Sequence, residues 1–516
     1  MAISPTFGVY IDWGNNGTFV GVNEDVTTKV LSVSVSRGRQ NVNDDFGAGS
    51  CAIVLKNTAG LYSPFNASGA LYGSILPGRA VKVEVTVSAI AYPVFYGYIG
   101  EYEEGVDAHN APTVTVHALD GFDALRFGDL RLALQESQRV DQLITTILDA
   151  AAWSATLRDL DTANETCDFF VVHHKNPLES LKVAAKQELG GQLFMARDGK
   201  VTFVERFERS RATSIGTITP TSIDGLVVRR EDLYDEVQHQ YASLKHEATT
   251  QNIYQRTGGT GLRLEPGSTS PYNTLAGAFS INAAAAVDSG EGVGAKSVLT
   301  PVAVTDYVAN SAADGGGTDK TAQVTVASFT AYAGGFVVTF SNADSSDVYL
   351  TTLKVRGQPI RYSNDERLVT VAASSPVVTE QTLSDRFDFN NNVAGIKSYA
   401  QFRAAVFSAL QPRPSVRIMP DTDAELAVIL NAELGSRCRL TNTSGMYPSQ
   451  IDEFFYIEGI QIALAPGPYI EARWQLMHED QAAGTFFRIS GAAGGGADYS
   501  TIATAAPTFG DHRIAW

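Results

Sequence analysis

The first stretch of this chain that could bind a ligand is the segment IDWGNNGTFVGVN, which begins at residue 11. Asp12, Asn16 and Gly17 occupy the positions at which a calcium loop of the D-x-[DN]-x-[DN]-G type supplies its first oxygen, its third oxygen and its sharp turn. Gly14 stands at the second ligand position and Asn23 at the twelfth, so the middle oxygen and the closing carboxylate are missing. The Asn-Asn-Gly sequence tolerates positive φ, and we therefore expect a tight turn between two β segments.

Side chains that could catalyse a reaction form a second group of candidates. The sequence has none of the motifs G-x-S-x-G, H-E-x-x-H, G-x-x-x-x-G-K-[ST] or C-x-x-C. The adjacent His173 and His174 precede a predicted helix without a third ligand at a metal-like spacing, so we interpret them as residues of a solvated loop. Three pairs of neighbouring acids could supply the two carboxylates of a glycosidase. These pairs are Glu103-Glu104, Asp44-Asp45 and Asp452-Glu453.

The abundance of acids changes how these pairs are interpreted. The chain of 516 residues has 56 Asp and Glu against 39 Lys and Arg, for a net charge of −17. We therefore interpret the pairs as solvated turns and strand ends, assign no catalytic, cofactor-binding or metal-binding residues, expect no cofactor and predict that the chain is not an enzyme. The same charge argues against a protein that grips nucleic acid, because phosphate neutralisation needs clustered cations. An acidic surface could still face DNA that slides past without binding.

Cysteine usage and the N-terminal sequence bear on the cellular compartment. Cys51, Cys167 and Cys438 are an odd number of thiols far apart in the sequence, so we expect reduced thiols in a chain that folds in a cytosol. The N-terminal MAISPTFGVYIDW has neither a basic nor an apolar signal region, and no run approaches the roughly 18 apolar residues of a membrane span. We predict no membrane segment.

Hydrophobic periodicity predicts a mainly β chain with several domains. The 46 glycines and the low charged fraction of 18% favour strands and turns. In VLSVSVSRGR, Leu31, Val33 and Val35 alternate with serines, which is typical of a half-buried strand. Further short strands follow at about ten-residue spacing, so we predict a β-barrel domain over residues 1–128.

Residues 129–221 change to a small α+β pattern. The segment SQRVDQLITTILDAAAW repeats apolar residues at helical spacing, with Ser137 as the predicted N-cap. The segment NPLESLKVAAKQELGG predicts a second helix with Asn176 as N-cap and Pro177 at the first position. Asp198 and Gly199 then predict a two-residue hairpin between two strands.

The remainder predicts a second barrel interrupted by an insert. Residues 222–250 and 386–480 read as a barrel-like β domain with short helices, and 251–385 as an inserted β-rich domain with Gly-rich loops. Residues 481–516 have few charges and contain GAAGGGAD, so we expect a tail that is flexible or ordered by a partner.

The first predicted barrel contains an ordered series of short motifs. They are Asp12-Trp13, Gly17, Glu24-Asp25-Val26-Thr27, Arg37-Gly38-Arg39, Leu55 with Tyr62-Ser63-Pro64, and Pro77-Gly78-Arg79. This series resembles minor tail proteins of long-tailed phages, in the family of baseplate hub or tail tip hub proteins. The similarity covers about residues 1–245 and 395–480, and leaves out the middle of the chain and the tail.

The resemblance implies a structural protein of the virion, made in the host bacterial cytoplasm and located at the tail tip. Such a hub is a homotrimer in which each subunit brings two tube-like β barrels, so that three copies match a six-fold tail tube and line the DNA exit channel. Its implied partners are the tail tube or distal tail protein, the tape measure protein, and tip or fibre proteins, with DNA passing through without specific binding. In this context Arg37 and Arg39 are expected in ion pairs at a strand end or subunit contact, and residues 15–17 in a hairpin turn.

The sequence is also compatible with two other functions. A host-receptor or glycan-binding tail protein would use the Gly/Ala/Ser-rich insert and the tail, although Trp13, Trp153, Trp474 and Trp516 all lie outside the insert. A tail-associated cell-wall hydrolase is the third possibility, without a recognisable catalytic motif to support it.

Overall fold

The protein is mainly β, as predicted, with a small α+β unit and an inserted β-rich unit. The fold is that of a computed structural model. It describes residues 5–40, 43–219, 223–229, 234–241, 244–267, 270–279, 292–362, 367–372, 381–407, 412–442, 451–467 and 469–479. The predicted tail, 481–516, lies outside the described residues, and the predicted domain boundaries stay a prediction.

The N-terminal unit consists of six strands and one short helix. Val33 and Val35 of the second strand point into the core, as the alternation predicts. An irregularity in the pairing between Val30 and Ser32 breaks the alternation, so that Val30 rather than Leu31 is buried. The elements are β1 (Thr6–Ile11), β2 (Val30–Gly38), β3 (Ser50–Lys56), β4 (Ala80–Val87), β5 (Ile90–Val106), β6 (Pro112–Leu119) and α1 (Gly121–Ala124).

The α+β unit follows directly. Its elements are β7 (Leu130–Arg131), β8 (Gln135–Arg139), α2 (Val140–Ala150), β9 (Arg158–Leu160), β10 (Thr166–Phe170), β11 (His173–Lys175), α3 (Pro177–Lys186), β12 (Gln192–Met195), β13 (Val201–Val204) and α4 (Glu208–Arg211). Helices α2 and α3 bury their apolar faces in the same core as the N-terminal strands, so the two units fold against each other.

Most local predictions in the α+β unit are confirmed. The side chain of Asn176 accepts a hydrogen bond from the N–H of Glu179 and caps α3. Strands β12 and β13 pair as a hairpin across Gly199, but residues 196–200 connect them instead of the predicted two residues. The predicted cap of α2 is wrong. Ser137 lies in β8, and the helix begins after Arg139, whose N–H donates to the side chain of Gln142. Ser137 takes φ = 50° instead, so the chain turns into the helix later than the cap motif indicates.

The chain enters and leaves the insert through a three-stranded sheet. Strands β14 (Ser214–Ile218) and β15 (Ile223–Arg229) precede this sheet. It consists of β16 (Glu236–Tyr241), β25 (Arg367–Ala372) and β26 (Thr382–Phe387), in the order β25-β16-β26, and α5 (Val393–Phe407) packs on it. Between them lie β17 (Leu244–His246), β18 (Gln251–Leu264), β19 (Thr274–Ala278), β20 (Gly292–Leu299), β21 (Tyr307–Asn310), β22 (Val324–Ala331), β23 (Gly335–Asn342) and β24 (Val348–Tyr362).

The insert has a core of its own. A five-stranded sheet built around β24 and the three-stranded sheet β19-β23-β22 share one buried cluster, which includes Ile253, Leu353, Phe336 and Phe340. This cluster is separate from the core of the other units, so the insert buries its hydrophobic residues within itself.

The C-terminal elements complete the main sheet. They are β27 (Arg413–Ile418), α6 (Asp423–Asn431), β28 (Arg437–Asn442), β29 (Ile451–Ala465) and β30 (Tyr469–His478). The order β1-β4-β5-β6-β3-β2-β29-β30-β27-β15 forms a single hydrogen-bonded path, with β28 paired to β29 and β14 paired to β28. The strands of the two predicted barrels therefore belong to one sheet, joined where β2 pairs with β29.

The three cysteines are buried free thiols, as expected for reduced cysteines. No helix within the described ranges is long and apolar enough to cross a membrane.

Candidate assembly site

The motif Arg37-Gly38-Arg39 lies where the N-terminal strands meet the C-terminal strands. Gly38, at the end of β2, pairs with Gly459 of β29 and takes φ = 103°, and the N–H of Arg39 donates to the carbonyl of Glu458. A Cβ on Gly38 would lie 2.7 Å from the Cα of Gly459. Only glycine permits this close approach of two backbones, so the motif marks the seam of the sheet.

Arg37 fastens one side of the seam. Its side chain is buried, forms an ion pair with Glu433 and donates to the carbonyl of Met195 at 3.1 Å. The other carboxylate oxygen of Glu433 accepts the backbone N–H of Arg197 at 2.9 Å. The carboxylate of Glu433, in the segment after α6, thus bonds to both β2 and the β12–β13 hairpin.

Arg39 fastens the other side through Glu458. The carboxylate of Glu458 accepts from Arg39 Nε at 2.6 Å and forms a second ion pair with Arg209. Burial raises the pKa of Glu458, but Arg209 and Arg39 outweigh burial and hold this pKa at about 2. The guanidinium of Arg209 also lies over the ring of Tyr456, whose hydroxyl donates to the Arg209 carbonyl. The carboxylate is therefore charged at neutral pH and engaged on both oxygens.

Asp120 is a second buried carboxylate beside this network. It accepts the N–H groups of Gly49 at 2.6 Å and Phe122 at 3.0 Å, and caps α1. Burial raises its pKa to about 7, against the lowering effects of those two N–H groups and of Arg37. This carboxylate consequently titrates near neutrality, whereas Glu458 keeps its charge.

We call Arg37, Arg39, Arg197, Arg209, Glu433 and Glu458 the arginine junction. Its carboxylates come from the C-terminal elements and its cations from the end of β2 and the α+β unit, so it links three parts of the chain. Every contact named above is an ion pair, a hydrogen bond or a ring contact, and the arrangement is suited to fixing orientation. Breaking such a buried pair leaves an uncompensated charge, which costs about 3–5 kcal/mol.

The prediction for Arg37 and Arg39 is confirmed, since both form ion pairs at a strand end. Sequence reasoning did not find their partners, because Glu433 and Glu458 lie 396 and 419 residues further along the chain. A usable signal was Gly459 inside the apolar segment EFFYIEGIQIAL, because a glycine within a strand often marks a close backbone approach.

The loop that begins at Asp12 is a structural turn. The two carboxylate oxygens of Asp12 accept the N–H groups of Asn16 at 3.1 Å and Gly17 at 2.8 Å, and Glu24 accepts from Gly14 and Gly21. These oxygens accept hydrogen bonds from backbone donors of the same loop, which hold it as a turn. The loop returns to β1 at a bridge between Tyr10 and Asp25, whereas β2 pairs with β3 and β29, so the expected strand hairpin is reduced to one bridge.

The other candidate chemical residues also have structural partners. Within the described ranges, no group of three or more His, Cys, Asp or Glu side chains is placed to hold a metal ion. The loop interpretation is wrong for both histidines, which lie in β11. His173 lies against Gly334 and Gly335 of the insert, whereas His174 is exposed and contacts Asp129. Of the acid pairs, Glu103 faces His117, Asp45 faces Lys182, Asp452 pairs with Arg439 and Glu453 with His478.

No protein-family model matches the chain, and a comparison with curated proteins found no match. Solved structures with a similar fold are distant in sequence. The 43 kDa tail protein of prophage MuSo2 from Shewanella oneidensis is 11% identical, with 93% of this chain and 99% of that chain covered, at a TM-score of 0.48. A tail protein from Neisseria meningitidis is 9% identical, with 93% and 98% covered, at a TM-score of 0.47.

A third similar structure is the c3393 protein of E. coli, a component of the type VI secretion system described as similar to the T4 bacteriophage tail proteins gp27 and gp5. It is 8% identical, with 92% of this chain and 77% of that chain covered, at a TM-score of 0.38. The first two structures are described as tail proteins.

Proposed function

We propose that this chain is a structural hub subunit of a phage tail tip, and that three copies close into a ring around a DNA exit channel. The observation that carries the proposal is the seam between β2 and β29, where the arginine junction holds two sets of strands in one sheet. A trimer can match a six-fold tube only if each subunit presents two β units in a fixed relation. The buried ion pairs supply that fixed relation.

The charge distribution supports passage of DNA without specific binding. The net charge of −17 disfavours contact with phosphates, and Arg37 and Arg39, which could have served DNA, are engaged with carboxylates. The ring places the tail tube or distal tail protein and the tape measure protein on one side, and tip or fibre proteins on the other. The chain has no catalytic role in this proposal, and a cell-wall clearing assay tests that part.

The mass of the purified chain in solution tests the ring. Light scattering at several concentrations and salt levels should give a discrete species of three times 55.2 kDa, and electron microscopy should then show a ring with a central channel. Because the chain is acidic, association should strengthen as salt rises and screens the repulsion between copies. A chain that stays monomeric under all of these conditions and does not close on added tail tube contradicts the proposal.

The separate core of the insert favours binding to the host surface as a second candidate function. A unit that packs itself can present a surface without disturbing the sheet, and Tyr272 of the insert is strongly exposed. Binding of the full chain to host cells, compared with the Tyr272→Ala variant, tests this function. Equal retention of both proteins on host cells and on unrelated bacteria argues against it.

A further inference from the structure

Two loops at one end of the N-terminal strands lack charged residues. The first loop covers residues 13–23 and follows β1, and the second loop covers residues 57–78 and joins β3 to β4. Neither contains Asp, Glu, Lys, Arg or His. The chain average of 18% charged residues would place about six in these 33 residues, counted as 11 plus 22. The absence of charged residues from both loops is unusual for an acidic protein, and neither loop belongs to the arginine junction.

The second loop is a built structure. Turns of the backbone follow one another, with the N–H of Gly60 bonded to Asn57, that of Ser63 to Gly60 and that of Asn66 to Ser63. The series continues through Gly69 and Tyr72 in the same way. Its exposed residues are displayed from a fixed backbone, because three buried side chains hold the loop to the core. These side chains are Tyr62, Leu71 and Ile75.

The two loops are packed together around Trp13. The indole of Trp13 stacks against Tyr62 of the second loop, at 6.1 Å between ring centroids, and against Tyr102 of β5 at 6.3 Å. Its Nε1–H donates to the carbonyl of Asn23 at the end of the first loop, and the hydroxyl of Tyr102 donates to the carbonyl of Leu76 in the second. The loops consequently form one continuous part of the surface.

Large apolar side chains point outward from this surface. Val20 is 90% exposed and Phe65 is 87% exposed, and Val22, Tyr72 and Leu76 are also exposed. We call these five side chains the apolar loop patch. Exposed apolar groups displayed from a hydrogen-bonded backbone are typical of a protein contact, because little entropy is lost when a partner covers them.

We propose that the apolar loop patch is a contact surface for a second copy of this chain. The argument for this occupant is charge: copies with a net charge of −17 repel one another, and they approach at least cost where one of them presents no charge. In a cyclic ring the contact is heterologous, so the patch of one copy meets a different face of the next. The proposal rests on the proposed ring and names the surface that closes it.

Charge introduced at the patch tests the proposal. Val20→Asp and Phe65→Asp in the full chain should raise the apparent dissociation constant of the trimer by about 100-fold or more, because a desolvated carboxylate replaces an apolar contact. Ile90→Asp is the matched control. Ile90 is 56% exposed at the turn between β4 and β5, at the opposite end of the sheet, and its variant should assemble as the unmodified chain does.

A labelling experiment keeps the test valid if an Asp variant folds poorly. The three native cysteines are buried, so Phe65→Cys introduces one accessible thiol. The reaction of this introduced thiol with a maleimide should be at least about 10-fold slower in the trimer than in the diluted monomer.

The outcomes separate this proposal from the function on which it rests. A trimer that persists in the Asp variants, with an introduced thiol that reacts equally fast in both states, overturns the patch as a contact between copies and leaves the ring intact. The patch is then available to another occupant, such as the ring protein of the tube. An unmodified chain that never forms a trimer contradicts the hub itself.

Discussion

At the residue scale, the carboxylate of Glu458 is the most constrained group of the arginine junction. It is buried between Arg39 and Arg209, so its loss leaves two cations without a counter-charge. We predict that Glu458→Gln lowers the free energy of unfolding by about 3–5 kcal/mol. Urea unfolding measures the change. Asp452→Asn, which removes an exposed pair with Arg439, is the control and should cost less than about 1 kcal/mol. Equal small effects of the two variants would contradict a structural role for the junction.

We predict that His239 makes the free energy of unfolding depend on pH. It is buried in β16 against Tyr399 and Phe387, and burial, assisted by Arg403, lowers its pKa to about 4, whereas the unfolded chain has the usual value of about 6.5. The unfolded state binds more protons between these values, so this residue makes stability fall as pH falls from about 6.5 to 4.

The variant His239→Gln cannot titrate, so its unfolding free energy should vary less across that window, by about 3 kcal/mol. The quantity to measure is the difference in unfolding free energy between the variant and the unmodified chain at each pH. This difference cancels the contribution of Asp120, whose pKa burial raises to about 7. Asp120 makes stability rise as pH falls from about 7 to its pKa in the unfolded chain, which is opposite to the effect of His239. His109→Gln, at an exposed site, is the control. A difference that stays constant with pH would show that His239 does not titrate in this way.

At the element scale, the pairing of β2 with β29 depends on Gly38. The substitution Gly38→Ala combines an unfavourable positive φ with the clash against Gly459, and we predict a loss of more than about 2 kcal/mol in the free energy of unfolding. Gly78→Ala separates the two causes, because Gly78 has φ = 83° but a Cβ on it would meet no atom of the described residues within 4 Å. Gly78→Ala should therefore lower the free energy of unfolding, measured with denaturant, by only about 1 kcal/mol. Equal losses of unfolding free energy in the two variants would show that positive φ alone, without the clash, accounts for the effect of Gly38→Ala.

Helix ends and turns show what local sequence can predict. Asn176 caps α3 because the oxygen of its side chain reaches an N–H three residues away, and every atom involved is coded in one short segment. Ser137 fails as a cap because β8 pairs with β10 and draws the residues up to Arg139 into a strand. A competing partner elsewhere in the chain decided where α2 begins.

At the scale of the whole molecule, the insert has a hydrophobic core separate from that of the main sheet. Leu244 of β17 and Tyr362 of β24 are paired, so the two points at which the chain enters and leaves the insert are adjacent. We predict that replacing residues 244–362 with a short Gly-Ser linker leaves a folded chain that still forms a trimer, because the two cores are separate. Light scattering and urea unfolding of the shortened chain measure this. Loss of folding would show that the body needs its contacts with the insert, such as the packing of His173 against Gly334.

The expectation that Arg37 and Arg39 form ion pairs follows from the resemblance to tail hub proteins. The sequence by itself determined the mainly β character, the capped helix α3 and the turn at residues 15–17. Each of these depends on periodicity, on φ preferences or on side chains within a few positions of one another. Only the tertiary structure decided which acids meet those arginines, that the strands of two predicted barrels share one sheet, and that His173 lies against the insert. The physical reason is that pairing between distant strands depends on burial and close packing of segments hundreds of residues apart, and no local pattern records the partner.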